Sequence, residues 1–131
     1  MVARLELEPI KVLCVDDNVI IGMAMRATID ATNDMKCVDC LERADALLET
    51  VAELQPDVVL LDLHMPGRGP LEALRDVTRD YPDVAVIVLS GSGDSSSRDE
   101  ALAAGARTYL TKGGSSQPIL AAIRALVVRN T

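Results

Sequence analysis

Five short apolar runs, each followed by a segment of helical periodicity, recur along the chain, and this alternation constrains the fold more than any single residue does. The runs are KVLCV (11–15), MKCVDC (35–40), DVVLLD (57–62), VAVIVL (84–89) and RTYLT (107–111). The segments that follow them are NVIIGMAMRATIDA (18–31), ADALLETVAELQ (44–55), LEALRDVTRDY (71–81), EALAAGA (100–106) and SSQPILAAIRALVV (115–128). Short apolar runs bounded by turn residues read as buried strands, and the longer amphipathic segments read as helices. Each repeat is about 20 to 28 residues long, enough for a right-handed crossover that returns the chain parallel to itself. The pattern predicts an α/β fold: a doubly wound, five-stranded parallel sheet in the flavodoxin-like order 2-1-3-4-5, with helices on both faces.

Local signals agree with this division. Ala44, Leu47, Leu48, Val51 and Leu54 recur at three-and-four spacing before Pro56, an amphipathic helix with a defined stop. Pro70 suits the first position of the third helix. Ser97 with Glu100 three residues on reads as a capping box opening the fourth helix, which Gly105 ends. Met23 and Met25 read as helix-packing residues, and the Ser-rich stretch 92–97 as a mobile loop. In the last helix Ile119, Ile123 and Leu126 are expected to face the core, with Leu120 and Val127 widening the stripe toward a homodimer surface.

At 131 residues one domain is expected, with a folded core over 10–129 and an N-terminal extension over 1–9. Tyr81 and Tyr109 are its only aromatic residues, so the core must be aliphatic. The net charge of −7, without a basic cluster, argues against direct nucleic-acid binding. The N-terminus lacks the apolar segment of a secretory signal, and no uncharged run approaches the ~20 residues of a membrane span, which predicts a cytoplasmic protein with no membrane contact. Cys14, Cys37 and Cys40 are an odd number in apolar surroundings, as suits a reducing compartment. Cys37 and Cys40 form C-x-x-C, but residues three apart on a strand point to opposite faces. They are read as small, buried or half-buried apolar residues rather than as a redox or metal pair.

Polar residues fall where the strands end. Strand one ends in Asp16-Asp17, strand three in Asp62, strand four in Ser90 and strand five in Thr111-Lys112. Ligands of an open parallel sheet bind at its carboxyl edge where the strand order reverses, here between strands one and three. Three carboxylates gathered there repel one another unless a cation neutralises them. Oxygen ligands with room for water favour Mg²⁺. With Lys112 as a second positive charge and Ser90 as a hydrogen-bond donor, Asp62 is placed to attack a phosphoryl group.

VDD (15–17), LLDLHMPG (60–67), VLSGSG (88–93) and GARTYLTK (105–112), in this order at these strand ends, resemble the receiver domain of bacterial two-component response regulators. The likeness runs from about Lys11 to the last helix and is marked toward receivers that precede a helix-turn-helix output. It implies Asp62 as phospho-acceptor and Mg²⁺ held by Asp17 and Asp62, with Asp16 acting more through water and the backbone carbonyl of His64 completing the protein ligands. It also implies Ser90 and Lys112 on the phosphoryl group, and Ser90 with Tyr109 as a switch acting on the face of helix four, strand five and helix five. The implied partner is a sensor histidine kinase or phosphotransfer protein. The chain would then be no enzyme beyond its own phosphorylation and dephosphorylation. It departs from the family in Gly113-Gly114, where proline usually follows the lysine, in Gly69-Pro70, and in His64, whose side chain is read as a solvated loop residue.

Two other functions share the chemistry. A Mg²⁺-dependent aspartyl-phosphate phosphohydrolase would carry D-x-D on the first strand and a cap domain, whereas this chain has adjacent Asp16-Asp17 and no such insertion. A non-phosphorylated pseudo-receiver is disfavoured by the complete site. After the last helix come Arg129-Asn130-Thr131, so no output domain is expected within the chain, which either stands alone or belongs to a longer regulator.

Overall fold

The computed structural model describes residues 8–65, 69–91 and 95–127. Strands β1 (Ile10–Val15), β2 (Met35–Leu41), β3 (Val58–Asp62), β4 (Ala85–Ser90) and β5 (Thr108–Thr111) alternate with helices α1 (Val19–Asp30), α2 (Leu47–Leu54), α3 (Pro70–Asp80), α4 (Ser95–Ala104) and α5 (Gln117–Leu126). Every strand pair is parallel, and the order is β2-β1-β3-β4-β5, as the alternation predicts. Residues 66–68, 92–94, 1–7 and 128–131 lie outside the described residues, so the expectations for the stretch after Met65 and for the start of the Ser-rich stretch 92–97 fall there.

Alternation along β3 and β4 divides the core into two layers. Val59, Leu61, Val86 and Val88 meet Leu47 and Val51 of α2, Leu74 and Val77 of α3, and Ala101 and Ala104 of α4. Val58, Leu60, Ile87 and Leu89 point the other way, toward Ile29 of α1 and Ile119, Leu120 and Ile123 of α5. The central strands are therefore apolar on both faces, as parallel strands covered by helices must be. At the end of α4, Gly105 has φ +118° and sits against α3, where a Cβ would collide with the Thr78 side chain. No L-residue with a side chain fits that turn without strain.

Several expectations change. Helix α4 opens at Ser95, so Ser97 lies inside it and is not its cap; the three-residue spacing to Glu100 is also the spacing of neighbours within a helix. Met25 packs on the core but Met23 is 66% exposed, alongside Val19 at 50% and Ile20 at 78%. Helix α1 is apolar nearly all round, so periodicity does not say which side faces out. Leu120 is buried and Val127 packs on the same layer, so neither supplies the homodimer surface expected of them.

The largest correction concerns the cysteines. Val12 pairs with Cys37 but Leu13 pairs with Asp39, which leaves Val38 as an extra residue in β2. A one-residue bulge inverts side-chain parity beyond it. Cys37 and Cys40 therefore share a face and meet Cys14 of β1: the Sγ of Cys37 is 3.8 Å from that of Cys14 and 3.7 Å from that of Cys40. Hydrogen bonding with the Cys14 and Cys40 thiols, and the nearby Arg26 guanidinium, push the Cys37 thiol down to about 6 despite its burial. The same contact with Cys37, together with burial, pushes Cys14 up.

Candidate functional site

Asp16 and Asp17 leave the end of β1 and lead directly into α1. Asp16 Oδ1 accepts the Asn18 N–H at 2.9 Å, and Asn18 Oδ1 in turn accepts the N–H groups of Ile20 (3.0 Å) and Ile21 (3.2 Å). This is an N-cap satisfying two of the free amides of the first turn, and it fixes the pair of aspartates against the helix start. The Asp16 N–H donates to the Leu41 carbonyl at 2.9 Å, extending the β1–β2 ladder into the loop. The sequence reading placed Asn18 inside the helix; its residue type at the boundary was the signal for a cap.

Strand β3 delivers Asp62. Among the described residues Asp62 (4% exposed) and Ser90 (0%) are the buried polar or charged side chains, and both end central strands. Asp62 Oδ1 accepts the His64 N–H at 3.0 Å. Its Oδ2 lies 3.0 Å from Lys112 Nζ, which is also 2.7 Å from Asp16 Oδ2. Burial disfavours the Lys112 ammonium, but its hydrogen bonds to Asp16 and Asp62 outweigh this and raise its pKa above the ordinary lysine value. The Lys112 N–H donates to the Ser90 carbonyl at 2.7 Å, so the lysine and the serine are tied through the backbone. Beyond Lys112 the chain turns at Gly113 (φ +100°) and Gly114 (φ +70°), a left-handed course that glycine adopts at little cost.

Asp16, Asp17 and Asp62 converge, each offering an oxygen within 4.8 Å of the other two. Three carboxylates against one ammonium leave two negative formal charges unbalanced (−3 + 1 = −2). The donor set is carboxylate oxygen alone, and Asp17 is exposed while Asp62 is buried. Those features fit a hard divalent ion that keeps some of its water, as Mg²⁺ does. Both oxygens of Asp16 already have partners in Asn18 and Lys112.

Ser90 closes the other side of the site, and here the sequence reading was incomplete. His64 is exposed as expected, but its Nε2 lies 3.4 Å from Ser90 Oγ, so the ring is not simply solvated. Tyr109 pairs with Val88 in the ladder, is half-buried, and packs against the α2–α3–α4 layer. It lies two residues before Thr111, the ladder partner of Ser90.

Comparison with known proteins identifies the family and supports the fold. The family profile for the response regulator receiver domain matches residues 12–124. The chain is 35% identical over 115 residues to the response regulator GacA of Pseudomonas syringae pv. syringae, a match covering 88% of this chain and 54% of that protein. It is 36% identical over 120 residues to the response regulator UvrY of Escherichia coli K12, covering 89% and 54%. The chain thus spans about half the length of the curated relatives it matches. Among solved structures, the response regulator domain of Thermotoga maritima CheB superposes with a TM-score of 0.83 at 31% identity, covering 91% of this chain and 96% of that one. A LuxR-family two-component response regulator from Aurantimonas sp. SI85-9A1 gives 0.84 at 26%, covering 91% and 85%. With strand order, acidic edge and sequence kinship in accord, the chain belongs to the response regulator receiver domains, the phospho-accepting modules of two-component signalling.

Proposed function

We propose that Asp62 is the phospho-acceptor and that a phosphohistidine on a sensor histidine kinase or phosphotransfer protein is the donor. An Asp62 oxygen attacks phosphorus, the P–N bond breaks, and the imidazole nitrogen leaves with the electron pair. Asp17 and Asp62, with the His64 backbone carbonyl, would hold Mg²⁺, and Asp16 would act through water. A bound Mg²⁺ would supply positive charge for the phosphoryl oxygens. Lys112 moves from carboxylate to phosphoryl oxygen, keeping its positive charge at the reacting end of Asp62. Ser90 turns its hydroxyl from His64 toward the phosphoryl group, and Tyr109 follows. The single observation supporting this reading most strongly is the meeting of three carboxylates from two strands with Lys112 at the end of a buried strand.

The added charge, about −1.5 to −2 at one point, biases the α4–β5–α5 face between two arrangements that differ in partner preference. That face would control the remainder of a longer regulator of transcription, in line with the similarity to proteins such as the transcriptional regulatory protein LiaR of Bacillus subtilis. The exposed apolar side chains Val19, Ile20 and Met23 lie on α1, which begins just after Asp17, and suit docking of the phosphoryl donor. Among the described residues no helix is long and apolar enough to cross a membrane.

Incubation with Mg²⁺ and acetyl phosphate, followed by intact mass, tests the assignment. One phosphoryl adduct is expected, absent in Asp62→Asn and absent without Mg²⁺. An adduct that persists in Asp62→Asn, or an unlabelled wild type, overturns it; continuous turnover of a phosphoester would favour the phosphohydrolase reading instead.

A further inference from the structure

The three thiols form a second convergence of potential ligands, separate from the acidic one and unused by phosphoryl transfer. Cys14 and Cys37 are buried and Cys40 is half-buried. The sulfur atoms stand at 3.7 Å and 3.8 Å along two sides of a triangle whose third side is at most 4.8 Å. A triangle of those sides has a circumradius of at most about 2.4 Å, so one point lies at bonding distance from all three sulfurs. Zn–S bonds are about 2.3 Å long, so an ion needs little movement of the sulfurs to reach them all.

We propose that Cys14, Cys37 and Cys40 form a three-thiolate site for a single zinc ion. Soft sulfur donors select zinc or copper(I) over the hard cation of the carboxylate site, so the two sites sort metals by chemistry. Charge favours zinc: three thiolates with Zn²⁺ carry one net negative charge against two with copper(I). The nearby Arg26 guanidinium, shared with Asp39 at 3.8 Å, has little positive charge to spare, so the ion that leaves the smaller excess is the one favoured.

The site has an entrance. Cys40 lines a surface cleft of about 230 Å³ together with Gly22, Met23, Arg26 and Asp39. Through Cys40 the site meets this cleft, from which water would supply a further ligand. In the metal-free form Cys37 Sγ lies 3.3 Å from the Asp39 carbonyl oxygen, and the Cys40 thiol donates to the Gly22 carbonyl (3.6 Å). Zinc takes the place of the thiol protons, which leave to solvent, so binding strengthens as pH rises. The ligands come from β1 and β2, so the ion ties the edge strand to its neighbour and stabilises the folded chain by mass action.

The test uses the whole chain, reduced, with excess Mg²⁺ present to occupy carboxylate sites. Co²⁺ is titrated as a coloured substitute, followed by Zn²⁺. A thiolate-to-cobalt charge-transfer band saturating at one equivalent, bleached by one equivalent of zinc, is expected. The band should vanish in Cys37→Ser and remain in Asp17→Asn. Absence of the band in folded, reduced wild type overturns the proposal, as does its survival in Cys37→Ser or its loss in Asp17→Asn. Displacement by copper(I) but not by zinc overturns the choice of metal. Should Cys37→Ser fail to fold, wild type alone decides: zinc should slow maleimide labelling of all three cysteines at least tenfold, and equal rates with and without zinc refute the site.

Discussion

The acidic cluster and the thiol cluster sit at opposite ends of legibility although both draw on β1. Asp16, Asp17 and Asp62 are collected because their strands stop at the same edge of the sheet. Cys14, Cys37 and Cys40 are collected because one strand slips by a residue midway. The first gathering follows from topology, which alternation of apolar runs predicts; the second follows from a register fault that no periodicity announces. The oxygen site opens to solvent through Asp17, whereas two of the three sulfurs are buried in the layer under α1. An exposed carboxyl edge is open to a passing donor, while a buried sheet face suits an ion that stays.

If the two clusters are independent, each must fail without the other. The largest expected effect is in Asp17→Asn, where acetyl phosphate labelling in Mg²⁺ should fall from near-complete to undetectable by intact mass. Cys37→Ser should label like wild type, and loss of labelling there would break the separation. Lys112→Ala sharpens the electrostatic half of the contrast. Removing the ammonium that faces Asp16 and Asp62 should tighten Mg²⁺ on the order of tenfold by calorimetric titration while slowing phosphorylation. Weaker Mg²⁺ binding would mean that the lysine organises the carboxylates more than it repels the cation.

The thiol half has its own pH signature. Cys37 ionises at about 6 in the folded chain against an ordinary thiol value of 9.0. Its native pKa is depressed, so its stabilising contribution is complete above about 9 and is lost as pH falls toward 6. With chelator and reductant present, the denaturation midpoint of wild type should therefore rise between pH 6 and 9 relative to Cys37→Ala. Parallel curves would place the thiolate elsewhere. The smallest effect belongs to Asn18→Ala. Losing its cap should cost about 1 kcal/mol in urea unfolding and weaken Mg²⁺ binding while leaving the cobalt band unchanged.

Element boundaries show what the sequence carries and what it hides. Pro70 and Gly105 mark their helix ends because each has a backbone reason to be there. Ser97 misleads because a cap motif and an intrahelical pair share one spacing. Met23 and Leu120 each lie on the side opposite to the one their sequence pattern suggests: α1 is apolar on nearly every face, and in α5 the buried stripe is wider than Ile119, Ile123 and Leu126 alone. The strand-end aspartates, Ser90 and Lys112 could be placed from order alone, since a strand's last residue must reach the edge. The contact of His64 Nε2 with Ser90 could not, because it joins residues 26 apart in the chain that no strand or helix periodicity relates.

The extra residue in β2 has an effect beyond the thiols it assembles. As an outer strand of the sheet, β2 offers its free flank to any second chain willing to extend the ladder. A fault at Val38 twists that flank, and exposed Lys36 adds charge to it, so a straight strand finds no continuous template there. The irregularity that gathers sulfur inside the molecule thus also interrupts the edge that an added strand would have to match.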